Sequence, residues 1–175
     1  MRLFLTAFLS AFLWLGVNAQ NFPIDTETKL INYNAVEEAD GNADAIYKKA
    51  HDWFFTYYKN PHNVVKKSEN NHIEARARFK ILNPADKKGV QTMGGIVLYS
   101  FTVDFKDGRY RYEITNITWK QNSKYPIERW MDKEAKSYQE KYEFYLTQVD
   151  KEINKTIEGL NQALKQKKKE TNHDW

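Results

Sequence analysis

Residues 104–115 read DFKDGRYRYEIT, and two readings of this stretch compete. Basic and aromatic residues interleave in residues 109–112, as they do on surfaces that bind single-stranded nucleic acid. The same alternation describes a β-hairpin with one wet face and one dry face. Asp107-Gly108 decides between them, because this dipeptide tolerates the positive φ that a two-residue hairpin turn requires. Lys106 then pairs with Arg109, Phe105 with Tyr110, Val103 with Tyr112 and Phe101 with Ile114, so that the aromatic and aliphatic pairs share one face. Asp104 opposite Arg111 and Thr102 opposite Glu113 form the other. The tyrosines therefore point away from the arginines beside them. A base stacked on Tyr110 or Tyr112 could not have its phosphate held by Arg109 or Arg111, and a nucleic-acid partner is not expected.

Continued outward, this pairing exchanges the character of its faces. The wet face becomes Leu98 opposite Ile117 and Ile96 opposite Trp119, while the dry face becomes Tyr99 opposite Asn116 and Val97 opposite Thr118. Three explanations are open. A β-bulge near Asn116 could slip the register by one residue, which inverts every later side chain. The segment YPIERWM, residues 125–131, could fold back and cover the patch with Tyr125, Ile127, Trp130 and Met131. Or Ile96, Leu98, Ile117 and Trp119 could form an exposed binding patch.

The neighbouring elements follow from periodicity. In HIEARARFKIL, Ile73, Ala75, Ala77, Phe79 and Ile81 alternate with His72, Glu74, Arg76, Arg78 and Lys80, the pattern of a half-buried strand. It forms the second arm of a hairpin that turns at Asn70-Asn71. A first strand is expected at residues 29–36. A helix follows, with Ile46, Ala50, Trp53 and Tyr57 on one stripe and Phe54 beside them. Asn42 or Asp44 caps its start, and Pro61 ends it by disfavouring helical geometry at Asn60. The last element is a helix over residues 132–168 with a basic tail from about residue 165. Its stripe runs Tyr138, Tyr142, Tyr145, Val149, Ile153, Ile157, Leu160 and Leu164. Such a helix would be roughly 55 Å long at about 1.5 Å per residue, too long for a sheet a few strands wide at about 4.8 Å per strand. Either it breaks near Gly159, or its end overhangs. An overhang frays as a lysine-rich tail, or it exposes Ile157, Leu160 and Leu164 to a second copy in a homodimer.

The order is β-α-β-β-β-β-α. It implies an α+β fold of two layers, a single antiparallel sheet with helices on one face. The segments FPID (22–25), AIYKKAHDWF (45–54) and KDGRYRYEITNI (106–117) resemble an uncharacterised family of exported Bacteroidota proteins. That family is described as a domain of unknown function with a TATA-binding-protein-like (TBP-like) fold. The resemblance spans roughly residues 22–120, with a less similar C-terminal helix. It implies a fold and export, and it supplies no catalytic residue to carry over.

Residues 1–19, MRLFLTAFLSAFLWLGVNA, have a charged start, an apolar run and small residues at the cleavage spacing. They read as a secretory signal cut after Ala19. The run is shorter than the ~20 residues of a membrane-spanning helix, although an uncleaved N-terminal anchor is the competing reading. The chain of 175 residues has no Cys, which excludes a disulfide framework, a thiolate metal site and a lipoprotein anchor. A periplasmic or secreted protein is expected, with no membrane span after cleavage. Loss of the signal lowers the net charge from +4 by a single unit, because Arg2 is its only charged side chain. Residues 20–131 form the α+β domain, and residues 132–175 supply the C-terminal helix that packs on it.

No motif for chemistry appears. His51, His62, His72 and His173 lack the spacing of a zinc site, and no nucleophile elbow, phosphate loop or dinucleotide fingerprint is present. Gly94-Gly95 opens a strand. Asn116 and Asn154 stand in sequons that matter only in a glycosylating host. The reading is a non-catalytic module without a cofactor that binds a protein or ligand in the cell envelope. The alternatives are a carrier of a small apolar ligand, suggested by the aromatic content, and an enzyme of unrecognised type.

Overall fold

The computed structural model describes residues 22–69 and 71–165. The signal segment and the basic tail lie outside the described residues. The elements are β1 (Tyr33–Glu38), α1 (Ala43–Tyr57), α2 (Pro61–Val64), β2 (Val65–Glu69), β3 (His72–Leu82), β4 (Met93–Lys106), β5 (Arg109–Lys120), β6 (Lys124–Pro126), a 3-10 turn (Ile127–Trp130) and α3 (Lys141–Lys165). All strand pairs are antiparallel, in the order β1-β5-β4-β3-β2, and β6 adds to the far end of β5. Helices α1 and α3 cover one face.

The central hairpin has the expected register from Lys106↔Arg109 to Ser100↔Thr115. Beyond it the register slips, and the next pairs are Leu98↔Thr118 and Val97↔Trp119. The extra residue lies at Asn116, which adopts φ +53°, a left-handed conformation that asparagine tolerates better than most side chains. The bulge turns Ile117 and Trp119 to the core beside Val97 and Tyr99, and all four are buried. The cover is present as well. Trp119 lies 5.0 Å from the Tyr125 ring and 5.9 Å from that of Trp130. Two of the three explanations therefore operate together: the bulge aims the tryptophan inward, and residues 125–130 close over it.

The hairpin faces carry a direct test. Tyr112 is buried between Val103 and Ala35 in the strand register, so Tyr112→Ala should cost on the order of 3 kcal/mol. Arg111 faces solvent and pairs with Asp104 at 3.2 Å, so Arg111→Ala should cost under about 1 kcal/mol. Equal losses in a urea titration would reverse the face assignment.

Helix α1 starts at Asn42, whose side chain accepts from the Ala45 N–H at 2.9 Å. It buries Ile46, Ala50, Trp53 and Phe54, while Tyr57 remains 38% exposed at the edge of the stripe. After α1 the chain turns at Asn60, which is not helical, and Pro61 begins the short α2. At the front of the chain the first strand starts later than expected. The Asp25 carboxylate accepts from the N–H groups of Glu27 and Thr28 and Lys29 adopts φ +60°, so residues 25–30 form a turn.

The C-terminal helix corrects two expectations. It begins at Lys141, and residues 132–140 form turns. It also runs along the strands. One end meets β3, where Gln148 bonds to Leu82. The other meets β5 and β1, where Tyr110 donates to Asn161 at 2.6 Å and Lys165 reaches Glu37. Its 25 residues span roughly 37 Å, and the 14 residues of β4 span roughly 46 Å. The sheet is long enough in that direction to cover the whole stripe. Ile157, Leu160 and Leu164 are buried, so among the described residues these three side chains form no exposed overhang. The helix is also continuous through Gly159. A Cβ there would come within 3.2 Å of the Trp53 ring, so this glycine allows α1 and α3 to approach.

Candidate functional site

The expected patch of Ile96, Leu98, Ile117 and Trp119 does not exist as one surface. The bulge puts Ile117 and Trp119 in the core and leaves Ile96 and Leu98 half-buried on the open face. Of the four, only Leu98 lines the cleft described next.

That cleft, about 1330 Å³, lies along β3 where the end of α1, α2 and the middle of α3 converge. Its floor is tyrosine. The hydroxyls of Tyr58 and Tyr99 lie 3.1 Å apart, and those of Tyr57 and Thr156 lie 3.2 Å apart. Tyr57 stacks on Trp53 with centroids 4.6 Å apart, which fixes its ring. Phe79 lies at the edge, 6.0 Å from Tyr99. Burial, and then the adjacent Tyr99, push the Tyr58 phenol far above its ordinary range. Burial also raises Tyr99, although hydrogen bonds with Tyr58 and Thr156 pull it back in part. Both remain neutral and serve as hydrogen-bonding groups rather than bases.

The walls are cationic. Lys59, Lys66, Arg76, Arg78, Lys124 and Lys155 line the cleft against the single carboxylate of Glu152. Lys155 lies 3.9 Å from Glu152, Arg76 lies 3.6 Å from Glu74, and Lys66 donates to the Asn63 carbonyl. Lys59, Arg78 and Lys124 have no carboxylate partner among the described residues. Arg76, Arg78 and Lys124 lie on the open face and the phenols on the helix face, so a negatively charged partner could meet both only along the edge of β3.

The other titratable groups lie apart from it. His72 Nδ1 lies 2.7 Å from Asp104 Oδ1 on the open face, and Arg111 holds the second oxygen at 3.2 Å. Burial raises the Asp104 carboxyl, but the hydrogen bonds from His72 and Arg111 outweigh it, and the group sits below its usual range. His51 stacks on Phe55, and His62 meets the same ring edge-on. No group of three metal-ligating side chains forms among the described residues. The sequence pattern missed the cleft because it placed Tyr57 on the buried stripe and gave no role to Tyr58 or Tyr99. The usable signal was the unequal hairpin, since β3 outruns β2 by six residues.

The comparisons agree with this architecture. A family model described as a domain of unknown function (DUF4468) with TBP-like fold matches residues 33–120. Two solved structures are similar over most of their length. One is a DUF4468 family protein from Bacteroides ovatus, with a TM-score of 0.63 and 15% identity over 79% of this chain and 88% of that one. The other is a TBP-like protein from Parabacteroides distasonis, with a TM-score of 0.62 and 14% identity over 77% of this chain and 92% of that one. At these identities the likeness concerns the fold alone. No curated protein matches.

Proposed function

Because the chain belongs to the DUF4468 family of TBP-like fold, and a fold names no activity, we propose from its own surface that it is an exported, non-catalytic binding module of the cell envelope, with the tyrosine-floored cleft as its binding site. The observation that carries this reading is the excess of cations along the cleft, three of them without a carboxylate partner among the described residues, at a sheet edge whose other face carries phenols held neutral by burial. Unpaired cations beside an apolar, hydrogen-bonding floor suit an acidic protein segment or an anionic ligand. Export rests on residues 1–19, which have the three-part pattern of a secretory signal. Among the described residues, no helix is long and apolar enough to cross a membrane.

The test uses the protein as its own cell processes it. Mass spectrometry should find Gln20 at the mature N-terminus, and the protein should leave the envelope without detergent. Intact residues 1–19 in membrane-bound material would overturn export. A partner cross-linked to the wild type in envelope extract should be lost from Arg78→Glu with an unchanged melting temperature, because Arg78 is exposed. Equal capture by both proteins would overturn the cleft as the site.

A further inference from the structure

We propose that the free edge of β3 accepts an extended peptide as an added strand, and that this peptide alternates apolar and acidic side chains. The proposal rests on the binding-module reading and narrows it to one class of partner.

The hairpin is unequal. β2 has five residues and β3 has eleven, and their pairing ends at Val65↔Ala75. Beyond Ala75, one side of β3 has no neighbouring strand. The direction of the backbone groups there follows from the two hairpin turns. Glu69↔His72 closes one turn and Lys106↔Arg109 closes the other, so the odd-numbered residues of β3 direct their N–H and C=O groups to β4. The even-numbered ones direct theirs the opposite way, toward β2 and then toward the open edge. Arg78 and Lys80 thus present backbone donors and acceptors beyond the last β2 pair, with no strand partner among the described residues.

Both ends of this open stretch are finished. Val65 closes one. At the other, the Gln148 side chain of α3 acts as a single residue of strand. Its Oε1 accepts from the Leu82 N–H at 2.9 Å, and its Nε2 donates to the Leu82 C=O at 2.9 Å. The gap from Ala75 to Leu82 is roughly 23 Å at about 3.3 Å per residue, room for a segment of about six residues.

The cleft lies along this gap, with Arg76, Ala77, Arg78 and Phe79 in its lining. A strand added here would alternate its side chains between two environments. Those on the helix side meet Phe79 and Tyr58, both half-buried. Those on the open side meet Arg76, Arg78 and Lys80, all exposed. Charge also selects against another occupant. Two copies paired edge to edge would bring like charges together, which disfavours the pairing. An acidic strand meets the same row with opposite charge.

The experiment titrates the isotope-labelled full chain, purified as the cell processes it, with the probe acetyl-Val-Glu-Val-Glu-Val-Glu-Val-amide. The amides of Arg78 and Lys80 should exchange at least about tenfold more slowly on saturation. N-methylation of one alternate set of probe residues should abolish binding, and the lysine analogue of the probe should not bind. Arg78→Glu with Lys80→Glu should reverse that charge preference at an unchanged melting temperature. Binding that survives N-methylation of each set in turn, or leaves the amide exchange unchanged, would overturn the added strand. Absence of probe binding, with Arg78-dependent capture from the envelope intact, would overturn the edge proposal and leave the binding module standing. Loss of both would remove the module reading too.

Discussion

Gly95→Ala should be among the most damaging single-methyl changes in this protein, with a loss of roughly 3–5 kcal/mol in a urea titration. Two causes add. Gly95 adopts φ +133°, a region open to glycine and strained for any L side chain. Its added Cβ would also lie 2.1 Å from Trp119 Nε1. The indole cannot move away, because its N–H donates to the Gly94 carbonyl at 3.0 Å and its ring is held by Tyr125 and Trp130. Gly89→Ala provides the control. Gly89 also has positive φ, but a Cβ there has open space around it, so its loss should be only the backbone part, about 1 kcal/mol. Equal losses at the two positions would mean that Trp119 does not press on the strand.

Trp130→Ala should cost about 3–5 kcal/mol and should also change what solvent can reach. Trp130 is 1% exposed. It stacks on Tyr142 at 5.6 Å, meets Tyr145 at 5.4 Å and covers Trp119. Its removal leaves a cavity where β5, the 3-10 turn and α3 meet. In a background carrying Trp53→Phe and Trp175→Phe, iodide should quench the tryptophan emission weakly while Trp130 is present and strongly once it is removed, with Trp119 as the newly reached ring. Strong quenching in that background with Trp130 still present would contradict the cover formed by residues 125–130.

The hairpin was legible in the sequence because its determinants are local. Asp107-Gly108 sets the turn, and the turn sets the register as far as Ser100 and Thr115. The face exchange beyond that point was legible as an anomaly but not as a cause. A bulge and a cover leave the same pattern of apolar residues, and here both are present. The cleft was not legible, because its parts come from Tyr58, Phe79, Tyr99 and Thr156, which meet only when α1, the sheet and α3 pack. The start of the last helix was misread because Tyr138 continues the stripe by spacing, although residues 132–140 turn. Its fit to the sheet was misjudged by measuring across the strands instead of along them.

The placement of α3 gives the fold an order in time. The segment matched by the family model ends at residue 120, yet the helix that covers its sheet begins at Lys141. That helix supplies Tyr145, Val149, Ile153 and Leu160 to the core and Gln148 to the rim of β3. A ribosome delivers it after all the strands it covers. Until it emerges, the strands lack the cover that α3 supplies and cannot close a cooperative core. Folding of the sheet is therefore deferred until α3 has been made.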